Sequence, residues 1–412
     1  MRCDLLIRNC KALVQVRTAT PFFVAGSEMA ALPLLEHAFL AIDAGKILDY
    51  GPMAECGYSG EEEMDATGRY VFPAFVDSHT HLVFAASREA EFELKIKGVS
   101  YQEIAAQGGG ILNSARRLQN MSEEELLERS LPRAWEIIGT GTGAVEIKSG
   151  YGLTTRDELK MLRVAKKIGQ ITPLTVKTTF LGAHAVPTNV LKDDYVTQVI
   201  DEMIPAVAEE KLADYIDVFC ETGFFSPDET ERVVEQGKRY GLIPRIHANQ
   251  LHRSGGVQVG IKVGAVSVDH LENIGEEEIH ALAQKSIMPT ALPGAAFFLN
   301  LPFPPARAML HAGLPLAIAT DFNPGSSPTG NMPLMLALAC IKMRLTPEEA
   351  INAATINTAW SLGLLTDLGS ITRGKIANVF LSRPMPSVAF LPYAFGTPCV
   401  EAVILNGKRI LR

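Results

Sequence analysis

The stretch that decides the fold is Tyr70–Val83, YVFPAFVDSHTHLV. It is apolar almost throughout, yet two histidines stand one residue apart near its end. Along a strand, side chains i and i+2 point to the same side. His79 and His81 therefore aim two imidazoles into one space, whereas helical spacing would point them apart. Seven further short apolar runs follow: GAVEIKSGYG, LTVKTTFLGAHAVP, IDVFCETG, IPRIHANQL, AVSVDHLEN, IMPTALPGAA and LPLAIATDFNPGSS. Helix-like segments separate most of them. One is SEEELLERSLPRAWEIIGTG, whose Ser122 and Glu125 fit a capping box. Eight strands alternating with helices predict an α/β fold with a parallel sheet closed as a (β/α)8 TIM barrel. The competing open, doubly wound sheet loses ground because no G-x-G-x-x-G follows the first run.

The two ends read differently. DLLIRNCKALV and HAFLAIDAGKILDYG alternate as short strands, with the turn residues Asp43-Ala44-Gly45 in the second. VEAVILNGKRIL carries Asn406-Gly407, a hairpin signal. Residues 1–66 and 367–412 are thus expected to build one small β-sandwich module from both termini, with the barrel over 67–366. Glu61–Glu63 reads as a solvated surface turn.

The chain has 412 residues, 47% of them hydrophobic, which suits a globular protein. Its net charge of -8 argues against phosphate-backbone binding, so no nucleic-acid partner is expected. No apolar run is long enough to span a bilayer. Arg2, Asp4 and Arg8 deny the N-terminus a signal-peptide core. Six scattered cysteines without a C-x-x-C pair read as reduced thiols. The expectation is a cytoplasmic protein with no membrane partner.

Barrel enzymes build their sites at the C-terminal ends of strands. The runs end in Lys148 and Tyr151, His184, Glu221, His247 and Gln250, Asp269, His270 and Glu272, and finally Asp321 and Asn323. Five of the nine histidines sit at such ends. A divalent metal suits the His79/His81 pair, with His247 and Asp321 as third and fourth ligands. Such a set leaves a position for water. His270 reads as a base beside it. Lys148 is not read as a carbamylated bridge, because no second complete ligand set is visible. Gly108–Gly110 lacks the Lys-Ser/Thr of a phosphate loop and reads as a loop before a helix. His37, His252, His280 and His311 read as ordinary surface or helix residues.

These residues resemble the amidohydrolase superfamily. Longer runs resemble the imidazolonepropionase family within it: DSHTHLVFAASREAEF, GGGIL, EIKSGYGL, TFLGAHAVP, DVFCE, LPGAAFFL and ATDFNPGSSPT. They span nearly the whole barrel in order. The resemblance implies hydrolysis of the small molecule 4-imidazolone-5-propanoate to N-formimidoyl-L-glutamate. It implies one divalent ion per subunit, zinc or iron, and a homodimer. It also implies that Arg88, Tyr151, His184, Gln250, Asn323, Gly325 and Ser326 contact substrate or product, and Tyr101 is expected to line the same pocket. Arg88 offers a planar fork for the propionate, the alternative being a salt bridge to Glu89 or Glu91 on the same loop. Asp321 or His270 would take a proton from water, and the metal or His184 would stabilise the oxyanion. Asp321 would then carry the proton to the leaving nitrogen. Two positions depart from the family. In GSITRGKIANVFL, which resembles the superfamily segment that returns to the terminal sandwich, Asn378 stands where an Asp is usual, which concerns a turn. Gln250 stands where some members carry Glu and cannot shuttle a proton as a carboxylate can.

Overall fold

A computed structural model describes residues 1–19, 22–99, 103–104 and 109–410. The chain begins with five strands, β1 (Arg2–Val14), β2 (Leu34–Asp43), β3 (Lys46–Pro52), β4 (Ser59–Asp65) and β5 (Tyr70–Pro73). The β2–β3 hairpin turns at Ala44 and Gly45, with φ of 48 and 78°. Positive φ at both central residues is what a tight hairpin twisted like its strands requires.

Eight strands follow: β6 (Phe75–Asp77), β7 (Thr142–Lys148), β8 (Thr175–Ala183), β9 (Tyr215–Cys220), β10 (Ile243–Ala248), β11 (Ser267–His270), β12 (Met288–Ala291) and β13 (Ala317–Ile318). They pair in chain order, and each pairing is parallel. Helices lie between them; Glu123–Gly139 starts on the expected Ser122–Glu125 capping box. Alternation sorts each strand. On β7, Val145 and Ile147 join the main apolar core, while Glu146 and Lys148 bond to each other. The barrel closes just beyond β6 and β13. There Thr80 bridges Phe322, the His81 amide donates to the Phe322 carbonyl at 2.9 Å, and the Asp321 amide donates to the His79 carbonyl at 2.9 Å. The Asp77 carboxylate adds bonds from the Thr320 amide (3.0 Å) and hydroxyl (2.6 Å).

The chain returns through β14 (Val379–Ser382), β15 (Val400–Leu405) and β16 (Lys408–Ile410). The last hairpin turns at Asn406 and Gly407, with φ of 53 and 75°. Asn378 accepts the Asn406 amide at 2.7 Å, so it ties this hairpin to the entry of β14. The terminal strands form one sheet, in the order β16-β15-β14-β5-β1-β2-β3, with β4 also on β1. Leu5, Leu40, Val71, Val379 and Ile404 share one apolar cluster, so the sheet wraps around its own core.

Two local expectations change. The run Tyr70–Val83 is not one strand. It breaks at Ala74, and Tyr70–Pro73 belongs to the terminal sheet. It is buried in both sheets, so its hydrophobicity never drops at the crossing. Glu61–Glu63 is not a turn but the middle of β4, paired in parallel with β1. Charged side chains there protect an edge strand from further pairing. Among the described residues, no helix is long and apolar enough to cross a membrane.

Candidate active site

His79 and His81 follow β6, His247 lies on β10, and Asp321 follows β13. All four are buried. His79 Nε2 and His81 Nε2 each lie 3.6 Å from Asp321 Oδ1. The His79 and His247 rings are 4.5 Å apart. Donor atoms of His79, His81 and Asp321 fall within 4.8 Å of one another, as do those of His79, His247 and His270. Among the described residues, His79 Nε2 and His247 Nε2 are buried without a hydrogen-bond partner. Such orphaned nitrogens are costly unless a ligand satisfies them. Burial holds the His79 and His81 pKa values well below the usual range, so both rings are neutral donors. Imidazoles plus a carboxylate fit a divalent ion. His79, His81, His247 and Asp321 could hold it, with His270 within the same reach.

His270 arrives by a backbone exception. Strict alternation would send it away from Asp269. However, φ is 84° at His270 and 70° at Leu271, which breaks the pattern. Its ring lies 5.5 Å from His79 and 5.2 Å from His247. A non-glycine residue at positive φ stores strain, and such strain gathers at functional sites. Burial opposes the His270 charge, but Glu272, 3.4 Å away, and Asp321 outweigh it and raise the pKa. Burial pushes the Asp321 carboxyl up to about 6, against the pull of His270.

Beneath the cluster lies a fully buried layer of charge. Asp269 Oδ2 meets His79 Nδ1 at 2.7 Å, and Asp217 Oδ2 meets His247 Nδ1 at 2.9 Å. Each carboxylate fixes its ring so that Nε2 faces the shared space. Lys148 Nζ bonds Asp217 and Glu146, both at 2.8 Å. Arg245 lies 3.3 Å from Glu146 and 3.5 Å from Asp269. Burial works against the Lys148 ammonium, but Asp217 and Glu146 hold its pKa above the usual value. Lys148 is thus an ion-pair centre. The sequence pattern had not singled out Glu146, Asp217 or Arg245. The signal was present: Glu146/Lys148 and Arg245/His247 are i, i+2 pairs in apolar strands, and His79/His81 has the same spacing just past β6.

The cleft above is lined by His81, Arg88, Tyr151, His184, His247, Gln250, His270, Asp321, Asn323, Gly325 and Ser326. The structure therefore brings the expected residues together, except Tyr101, which lies outside the described residues. Two of them make local hydrogen bonds that set what they offer the cleft. His184 Nδ1 is 3.0 Å from the Gly150 carbonyl, which can only accept. Burial, with His247 next, lowers its pKa to about 3. His184 Nε2 is then a bare acceptor and is not suited to stabilising an oxyanion. Gly150 makes this possible, because a Cβ there would sit 2.7 Å from His184 Nδ1. Asn323 commits its amide to the loop around it. Its Nδ2 donates to the Asp321 carbonyl (2.6 Å) and Ser326 Oγ (2.7 Å). Its Oδ1 accepts the Gly325 (2.7 Å) and Ser326 (2.8 Å) amides. Ser326 Oγ in turn donates to Asp321 Oδ2 at 3.1 Å, so this pair builds the loop that holds Asp321.

Residues 70–410 match the amidohydrolase family model. The chain is 52% identical over 408 residues to an imidazolonepropionase of Flavobacterium johnsoniae, covering 98% of this chain and 99% of the relative. It is 53% identical over 409 residues to an imidazolonepropionase of Christiangramia forsetii, covering 98% and 100%. Solved structures share the fold. A Xanthomonas campestris adenosine deaminase with bound zinc aligns at TM-score 0.75 and 19% identity, covering 100% of this chain and 93% of that one. An E. coli guanine deaminase aligns at 0.76 and 16%, covering 99% of each. The family match makes the chain a hydrolase of the amidohydrolase class, and its donor cluster suits a divalent metal. Within that class, the chain belongs to the imidazolonepropionase family.

Proposed function

We propose that this chain hydrolyses the cyclic amide C–N bond of 4-imidazolone-5-propanoate to give N-formimidoyl-L-glutamate. The observation that carries the reading is one cleft holding both the His/Asp cluster and Arg88. The cluster suits hydrolysis, and the arginine suits a carboxylate-bearing substrate. A bound divalent metal would supply Lewis acidity toward water and the ring carbonyl. His79, His81, His247 and Asp321 would hold it.

The chain's own residues do the rest. Arg88 anchors the propionate through its guanidinium fork. Tyr151, buried with its ring 5.4 Å from the His184 ring, closes one wall. His184 Nε2 accepts a ring N–H and orients the imidazolone. Gln250 adds an uncharged hydrogen bond to the ring. Asp321, fixed by Ser326, takes the proton from water and delivers it to the leaving nitrogen. His270, paired with Glu272, supports that transfer. Proton donors and acceptors with pKa values near working pH serve such steps best.

The ion is zinc or iron, one per subunit, and metal analysis of the purified protein distinguishes them. The family resemblance supports a homodimer. Six free cysteines support a reducing, cytoplasmic setting. The decisive assay follows loss of imidazolone ultraviolet absorbance, with and without chelator. Chelator-sensitive turnover supports the reading, and a metal-loaded enzyme that leaves the imidazolone untouched removes it.

A further inference from the structure

Arg88 is held in place by a carboxylate of its own helix. Its Nε donates to Glu91 Oε2 at 2.8 Å, one turn along at the start of the helix Glu89–Ile96. Both residues are buried. Glu91 Oε1 reaches a second helix, Gly110–Gln119. There it accepts the Gly110 amide at 3.1 Å and Asn113 Nδ2 at 3.0 Å. A helix N-terminus presents unsatisfied amides and favours an anion. The two oxygens of Glu91 thus act separately, since one grips Arg88 and the other grips the neighbouring helix.

The far side of the guanidinium is shaped by Gly325. A Cβ at that position would overlap Arg88 Nη1, Nη2 and Cζ. Lys95 Nζ donates to the Gly325 carbonyl at 2.7 Å, tying the same helix to the same loop. The Arg88 plane is therefore set by Glu91 at Nε and by the Gly325 backbone packed against its face. Capture of a carboxylate by a rigid fork depends on that plane.

We propose that Glu91 is a positioning residue: it aims Arg88 so that the cleft accepts a ligand carboxylate at a fixed distance from the ring site. This rests on the reading of Arg88 as the carboxylate anchor. An ordinary surface ion pair would not need a second helix to fix it. Here the Gly110 and Asn113 donors hold Glu91 still, and Glu91 holds Arg88.

Calorimetric titration of the metal-loaded enzyme with imidazole-4-propanoate, and with its uncharged amide, tests this apart from turnover. Wild type should bind the acid more tightly than the amide. Glu91→Gln should weaken acid binding about tenfold and leave amide binding unchanged. Asn113→Ala, which removes one support of Glu91, should weaken the acid about threefold. If E91Q does not fold, the N113A ratio decides. Acid binding by these variants within about twofold of wild type, or equal loss for acid and amide, overturns the proposal. Wild type binding acid and amide alike removes the anchor reading itself. Turnover of the imidazolone by wild type reports separately on the proposed function.

Discussion

The molecule contains two eight-stranded sheets with opposite interiors. The terminal sheet encloses Leu5, Ile7, Leu40, Val71, Val379, Ile404 and similar residues. The barrel encloses, at its working end, Glu146, Lys148, Asp217, Arg245 and Asp269, all fully buried. Apolar burial stabilises the first without directional demands. The second interior is satisfied only in one arrangement, because each buried charge needs its partner at bonding distance. Chemistry sits where the interior is hardest to satisfy. The contrast predicts that terminal-sheet changes cost stability alone, whereas barrel-interior changes cost metal binding and turnover.

Four substitutions break or sharpen that contrast. His79→Ala removes a donor from the centre of the cluster. Turnover of the metal-supplemented protein should fall about a thousandfold or more, equivalent to several kcal/mol of barrier. Steady-state rates check it, and a rate near wild type would mean that His79 holds nothing. Lys148→Met leaves Asp217 and Glu146 buried without their shared cation, at a cost of about 3–5 kcal/mol in unfolding free energy. Denaturant unfolding measures that loss. An unchanged midpoint would show that the charge layer is not energetically coupled. Leu40→Ala, in the terminal core, should cost about 3 kcal/mol while metal affinity and kcat stay at wild-type values. A fall in either would show that the two sheets are not independent. Asp217→Asn keeps the shape but weakens the grip on His247 Nδ1. Metal affinity should drop about ten- to a hundredfold in chelator competition. Retained affinity would locate the orientation of His247 elsewhere.

Much of this was legible in the sequence, for one reason. Period-two alternation is preserved wherever a strand has two distinct faces, and it exposes any polar pair on one of them. That rule finds His79 with His81, and it would have found Glu146 with Lys148 and Arg245 with His247. Turn chemistry was equally plain at Ala44-Gly45 and Asn406-Gly407, where the backbone needs positive φ. Other features had no local signal. The break at Ala74 is hidden because both flanking strands are buried. β4 owes its conformation to pairing with β1, a contact its own acidic residues do not announce. His270 faces the cluster through a left-handed backbone that the letter His does not predict. Asn323 was expected at the ligand from the family resemblance. Only its four hydrogen bonds show that its amide is committed to the loop.

The closure of the barrel carries one more consequence. Asp77 and Thr320 meet across that junction from positions 243 residues apart in sequence. His79 and His81 continue one margin, and Asp321 continues the other. An ion gripped by all three would act as a cross-link, joining the first and last staves of the barrel. Because the two margins come together only in the folded barrel, the ion would bind the native state and not the unfolded chain. That makes ion binding part of the folding free energy. The cofactor of the reaction would then also be the hoop that holds its vessel shut.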